Sequence, residues 1–285
     1  MNARPAVLVI AATDSSGGAG LSRDVRVLSE FGVDVLCAVT AVTAQSDQKV
    51  TAVHHIPPEV VRAQISAAFE TRRVDAIKIG MLGTQATVEA VAEALAGRVE
   101  APLGRGAVRP GRVPLDQAQS GQLSDQVPSS RASSGRHIPL VIDPVLVSSS
   151  GGVLLDDGGR AALIRTLFPL ATLVTPNVPE VAALLTERVA SDEATLIEQG
   201  KRLLDLGSAA ILLKGGHREG DEAVDLLISQ AGVEKLVSAR LAGSSRGTGC
   251  ALASAIAAGL AGGEQLSVAC AAAKRYVLGM LAPGR

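Results

Sequence analysis

The sequence has no tryptophan, one tyrosine and three phenylalanines in 285 residues. So few rings leave no platform on which successive nucleic-acid bases could stack. An excess of either charge is also lacking: 27 Lys and Arg face 28 Asp and Glu, for a formal net charge of −1. Nucleic acid and anionic membranes select strongly basic surfaces, so neither is an expected partner. Cysteine is scarce. Cys37, Cys250 and Cys270 follow no regular spacing, which argues against a disulfide framework and a zinc site. A reduced, cytoplasmic compartment is expected instead. Long apolar runs are missing too. Ala6 to Ala12 is far short of a membrane span, and no clear cleavage pattern of small residues follows it. Ala251 to Leu260 is interrupted by Ser and Gly and reads as a buried helix. Neither GxxxxGK[ST], GxGxxG nor HExxH occurs, which weakens P-loop, dinucleotide and zincin readings.

What is abundant is Ala, Val, Leu and Gly, with 47% of residues hydrophobic. That mixture suits strands buried on both faces and closely packed helices. Short apolar runs alternate with helical periods. Strands are expected at Val7–Ala11, Val33–Thr40, Ala76–Ile79, Leu140–Ile142, Leu173–Thr175 and Ala210–Lys214. Helices are expected at Leu21–Glu30, with Leu21, Val25, Leu28 and Phe31 on one face, at Pro58–Arg72, Thr84–Leu95, Arg160–Leu167, Pro179–Leu185 and Glu193–Leu206, and from about Gly249. This order predicts one α/β domain with a mostly parallel sheet and helices on both faces. Residues 101–136, rich in Pro, Gly, Ser, Gln and Arg, are expected to form a disordered insertion with no catalytic role.

The residues with chemistry follow strands, on the edge where open parallel sheets bind ligands. Asp14-Ser15-Ser16-Gly17-Gly18-Ala19-Gly20 is either a close backbone approach to a ligand or a tight capped turn. Gly247-Thr248-Gly249-Cys250 opens a helix, where successive N–H groups suit phosphate and the helix dipole favours a thiolate. Cys250 could equally be a small packing residue; Cys37 and Cys270, in apolar surroundings, are expected to be packing residues. Asn177 and Glu180 stand three apart at a helix start, which suits a capping box or a water-mediated Mg²⁺ site; spacing alone favours the cap. Asp143 and Lys214 lie at strand ends, and His217 follows in the KGGH segment.

Together the segments VIAATDSSGGAGLSRDVRVLSEFGV, AVTAQ, IKIGML, VIDPVLVSSSG, LVTPNVPEVAALL, LLKGGH and GTGCALASAIAAGL resemble the hydroxymethylpyrimidine/phosphomethylpyrimidine kinases of thiamine biosynthesis, within the ribokinase-like superfamily. The resemblance implies a doubly wound ribokinase-like fold and two successive phosphorylations of 4-amino-5-hydroxymethyl-2-methylpyrimidine, using ATP and Mg²⁺. It implies a pyrimidine site formed by Ala19, Asp24, Gln45, Met81 and Val145. It implies that Cys250 is the base beside the Gly247, Thr248 and Gly249 backbone. Asp143, Asn177, Lys214 and Arg246 would face ATP phosphates, with Glu180 at the metal. A homo-oligomer, a dimer first of all, is expected. The chain departs from the family in carrying Ala12 for a usual Gly, Ser15 for a frequent Pro and Arg246 for a usual His. Pyridoxal kinase is the nearest alternative. A pyrimidine-binding regulator that keeps the fold without catalysis is the other.

Overall fold

The computed structural model describes residues 3–100, 137–148, 151–215, 221–241 and 246–282. The 101–136 insertion and His217 lie outside them. The first half runs β1 (Ala6–Ala11), α1 (Gly20–Glu30), β2 (Asp34–Val39), β3 (Ala41–Gln45), β4 (Val50–His55), α2 (Pro58–Thr71), β5 (Ala76–Ile79) and α3 (Gln85–Leu95). The second runs β6 (Leu140–Ile142), α4 (Asp157–Ala162), β7 (Leu173–Val174), α5 (Val178–Leu185), α6 (Glu193–Asp205), β8 (Ala210–Leu213), β9 (Glu222–Ser229), β10 (Gly232–Ala239), α7 (Thr248–Ala261) and α8 (Leu266–Leu281).

One eight-stranded sheet has the order β10-β9-β8-β7-β6-β5-β1-β2. Strands from β2 to β8 pair in parallel, and β9 and β10 add an antiparallel edge. Alternation along each strand builds two cores, one on each face. Leu8, Ile10, Ile77, Ile79 and Ile142 face the layer of α2 to α6. Val7, Val9, Ala76 and Val141 face the Ala-rich α7, together with Cys270 and Ala273 of α8. Both faces are covered, so the parallel strands read as unbroken apolar runs rather than alternating ones.

The structure departs from the sequence reading in several places. The small β3–β4 hairpin stands apart as its own two-stranded sheet, and the β9–β10 hairpin is antiparallel. Helix α4 begins at Asp157 because the Asp156 carboxylate accepts the Gly159 N–H at 2.6 Å; two glycines masked this start. The chain then widens into a π-turn at Leu163–Leu167 and tightens into a 3₁₀ turn at Phe168–Leu170. The inner face of α1 is Asp24, Val27 and Leu28, whereas Phe31 is exposed and stacks edge-on against Tyr276. Cys37, expected inside, is exposed on the edge strand β2.

Candidate active site

The carboxyl ends of β1, β5, β6, β7 and β8 converge on the start of α7. Asp143, just past β6, is buried, and its Oδ1 accepts from Lys214 Nζ at 2.8 Å and from Thr175 Oγ1 at 3.3 Å. Lys214 Nζ also lies 3.7 Å from Glu180 Oε2. Burial pushes the Asp143 carboxyl up, but the Lys214 and Lys78 ammoniums outweigh it and hold it below its usual value. Glu180 ends above its usual value, because burial and the Asp143 charge outweigh Lys214. A Cβ built at Gly249 would lie 3.1 Å from Lys214 Nζ, so the first turn of α7 rests against this lysine.

Asn177 and Glu180 form the capping box. Asn177 Oδ1 accepts the Glu180 N–H at 2.8 Å, and Glu180 Oε2 accepts the Asn177 N–H at 2.7 Å. The Asn177 Oδ1 thus serves α5, and Glu180 serves the cap and the charge cluster together.

Two glycine turns interlock above this cluster. Gly20 has φ +56°, and a Cβ there would sit 2.5 Å from the Ala12 carbonyl. Gly247 has φ +74°, and its Cβ would fall 2.3 Å from the Gly18 carbonyl and 3.1 Å from Ala19 Cα. Gly247 is the N-cap of α7 and no side chain caps this end, where Thr248, Gly249 and Cys250 form the first turn. The Cys250 thiol is half-buried at this turn. The sequence reading expected the helix dipole to favour a thiolate. Burial wins instead: it pushes the thiol up to about 11, against the pull of Lys78 and with the push of Asp24 and Asp143.

Met81 and Val145 join Ala12, Ala41 and Leu154 in a small apolar cluster. The Thr40 hydroxyl fixes this floor by donating to the Met81 carbonyl at 2.6 Å. Gln45 ends β3 and is tied to the glycine loop. Its N–H donates to Ser15 Oγ and its carbonyl accepts from the same hydroxyl, both at 2.8 Å. Ala19, the N-cap of α1, abuts Gly247. Asp24 is placed differently. It is fully buried beneath the floor, with Oδ2 on Lys78 and Oδ1 on Ser254, so no part of it faces the solvent side of the site.

The arrangement offers backbone N–H groups and an ammonium for phosphate, two carboxylates, an apolar wall with an amide, and a thiol between them. The sequence profile of phosphomethylpyrimidine kinase matches residues 14–103 and 122–284. The chain belongs to the phosphomethylpyrimidine kinase family. A hydroxymethylpyrimidine/phosphomethylpyrimidine kinase of Rhizobium meliloti is 37% identical over 95% of this chain and 88% of its own length. The phosphomethylpyrimidine kinase structure from Clostridium difficile superposes with a TM-score of 0.75 at 29% identity, covering 98% of this chain and 100% of that one. A pyridoxal kinase from Staphylococcus aureus, solved with ADP, gives a TM-score of 0.78 at 26% identity, covering 98% of this chain and 89% of that one.

In this kinase the Arg246 side chain bridges separate loops around the site. Its guanidinium reaches Asp14 Oδ2 at 3.1 Å, Ser16 Oγ at 3.1 Å, the Ser46 carbonyl at 2.9 Å and Asp47 Oδ1 at 3.0 Å. One side chain thereby ties the glycine loop, the β3–β4 turn and the approach to α7 together. Arg246→Ala is expected to cost about 1–3 kcal/mol of stability, because the buried Asp14 loses a charged donor. Urea unfolding measures it; a midpoint unmoved from wild type would show that the tie holds nothing.

Sequence reasoning gave Lys78 no role, although it lies in the IKIGML segment. It is fully buried, 2.8 Å from Asp24 Oδ2. A lysine inside a four-residue strand of otherwise apolar residues was the available signal.

Proposed function

We propose that this chain transfers the γ-phosphoryl group of ATP to 4-amino-5-hydroxymethyl-2-methylpyrimidine and then to the resulting monophosphate. It is a phosphotransferase of thiamine biosynthesis. The observation that carries the two-step reading is the position of Cys250: a thiol in the first turn of an uncapped helix, beside the Asp143–Lys214–Glu180 cluster.

Each residue then has a job. The N–H groups of Gly247 to Cys250 take the charge that spreads over the transferred phosphoryl. Lys214 neutralises phosphate oxygens while balancing Asp143. Met81 and Val145 pack the ring, and the Gln45 amide both donates to and accepts from its polar edge. Cys250 takes the hydroxymethyl proton in the first step. In the second step the nucleophile is already anionic, so alignment alone suffices. The oxygen-rich pair Asp143 and Glu180 suits a hard cation held mostly through water, and Mg²⁺ bound there would neutralise phosphate charge.

With its pKa near 11, the thiol holds only about one part in 10⁴ thiolate at pH 7. The first step is therefore expected to rise about tenfold per pH unit from 7 to 10, while the second stays nearly flat. Parallel pH profiles of kcat for the two steps measure this, and equal slopes would remove the thiol from proton transfer. Gln45→Leu is expected to weaken pyrimidine binding by about 1–3 kcal/mol and to leave ATP affinity intact. Calorimetry with each ligand separates the two. The whole assignment is tested by turnover with ATP, Mg²⁺ and either the pyrimidine or pyridoxal, followed by phosphorus NMR. Phosphate on pyridoxal alone would replace the pyrimidine reading, and no transfer to either would leave a binding protein.

A further inference from the structure

A buried charge network lies one helical turn below the thiol. Lys78 of β5 donates to Asp24 Oδ2 at 2.8 Å, and Asp24 Oδ1 accepts from Ser254 Oγ at 2.8 Å. Ser254 follows Cys250 by four residues on α7, so the two share a face of that helix. Lys78 and Asp24 are both fully buried, so water does little to screen either charge. The lysine also reaches the edge of the site: a Cβ at Gly80, just past β5, would lie 2.9 Å from its Nζ. The fold alone does not require this pair. Two buried ions cost several kcal/mol each to desolvate, and a well-packed apolar pair often serves stability as well or better.

We infer that Lys78, pinned by Asp24 and Ser254, is a positioning residue for the first phosphorylation, in which its ammonium stabilises the thiolate of Cys250. The inference rests on the reading of Cys250 as the base. The thiol first releases its proton to water. The thiolate then accepts the hydroxymethyl proton as the oxygen–phosphorus bond forms and the bond to the departing ADP oxygen breaks. Four charged groups act on the sulfur from the elements packed around it. Lys78 from β5 and Lys214 from the end of β8 favour the thiolate, and Asp24 from α1 and Asp143 from the end of β6 oppose it. Of the two lysines, Lys214 is committed to the phosphate-side carboxylates. Lys78 is the one whose charge can be tuned through a separate partner. Asp24 holds the ammonium in place and also weakens its field, so the pair sets the thiol between two extremes.

The test reads Cys250 in the intact protein without substrate. Iodoacetamide labelling of the Cys250 peptide is followed by mass spectrometry from pH 7 to 11 in wild type, Lys78→Met, Asp24→Asn and the double variant Lys78→Met/Asp24→Leu. Lys78→Met is expected to slow labelling at pH 8 by about tenfold or more, equivalent to one pKa unit. Asp24→Asn is expected to speed it. First-step kcat should follow the same order with pyrimidine KM unchanged, and the second step should not move. The double variant leaves no unpaired buried charge, so it decides the matter if Lys78→Met does not fold. A folded double variant that labels as fast as Asp24→Asn, with the same first-step kcat, would overturn the inference, because those two proteins differ in the ammonium. Failure of the base reading looks different: Cys250→Ser would keep a full first step while labelling still responded to Lys78.

Discussion

Cys250→Ala lowers the first phosphorylation by about 10²–10⁴-fold and leaves the second within a few-fold of wild type. The asymmetry comes from the two nucleophiles. A hydroxymethyl oxygen must lose a proton as it attacks, and the thiol lies in the first turn of α7 beside the backbone that would receive the phosphoryl group. A phosphate oxygen has no proton to lose. The substitution removes only a sulfur from a half-buried position, so the helix and its N–H groups stay in place. Single-turnover rates for the two acceptors, measured on the same enzyme preparation, give the ratio. Equal losses in both steps would make Cys250 a packing residue of the anion hole.

Gly247→Ala is expected to damage both steps alike, by about 10²-fold or more, the scale of an ångström-sized misplacement of reacting groups. Two effects combine. At φ +74° an alanine costs about 1–2 kcal/mol in backbone strain. Its methyl would also fall 2.3 Å from the Gly18 carbonyl, which belongs to backbone and cannot swing aside as a side chain would. The two glycine turns must then separate, and the helix start moves away from both Lys214 and the floor of Met81 and Val145. Steady-state kinetics on both acceptors, with circular dichroism to verify the fold, checks this. Wild-type kinetics would show that the turns do not need to touch.

Much of this was legible in the sequence because it is written locally. Val7 to Ala11 is an unbroken apolar run beside a glycine turn, and it is a central strand. Asn177 and Glu180 carry the capping box in their spacing. The β3–β4 hairpin was missed because AVTAQ and VTAVHH bury few residues, so no strong apolar contrast marks two separate strands. The bonds of Arg246 could not be read at all, since Asp14 and Asp47 lie 232 and 199 residues away. Asp24 illustrates the same limit. On a helix its carboxylate belongs outside, and its burial is made tolerable by Lys78, 54 residues on, and by Ser254, 230 residues on. For Cys250 the favourable helix start was visible in the sequence, but the burial that outweighs it was not.

The position of α7 also governs when the kinase can exist. The sheet around β1 is assembled from residues 6–79, yet the apolar face that Val7, Val9 and Ala76 present is closed by Ala251, Ala255 and Ile256, which are translated long after it. At ordinary ribosome speeds roughly 10–40 s separate those two stretches. Throughout that interval the nascent sheet shows bare hydrocarbon, and Asp24 has no Ser254 to meet. The same helix then completes the interior and delivers the thiol in one event. A chain abandoned before Thr248 is therefore sticky and inert together, a target for quality control and never a half-working enzyme.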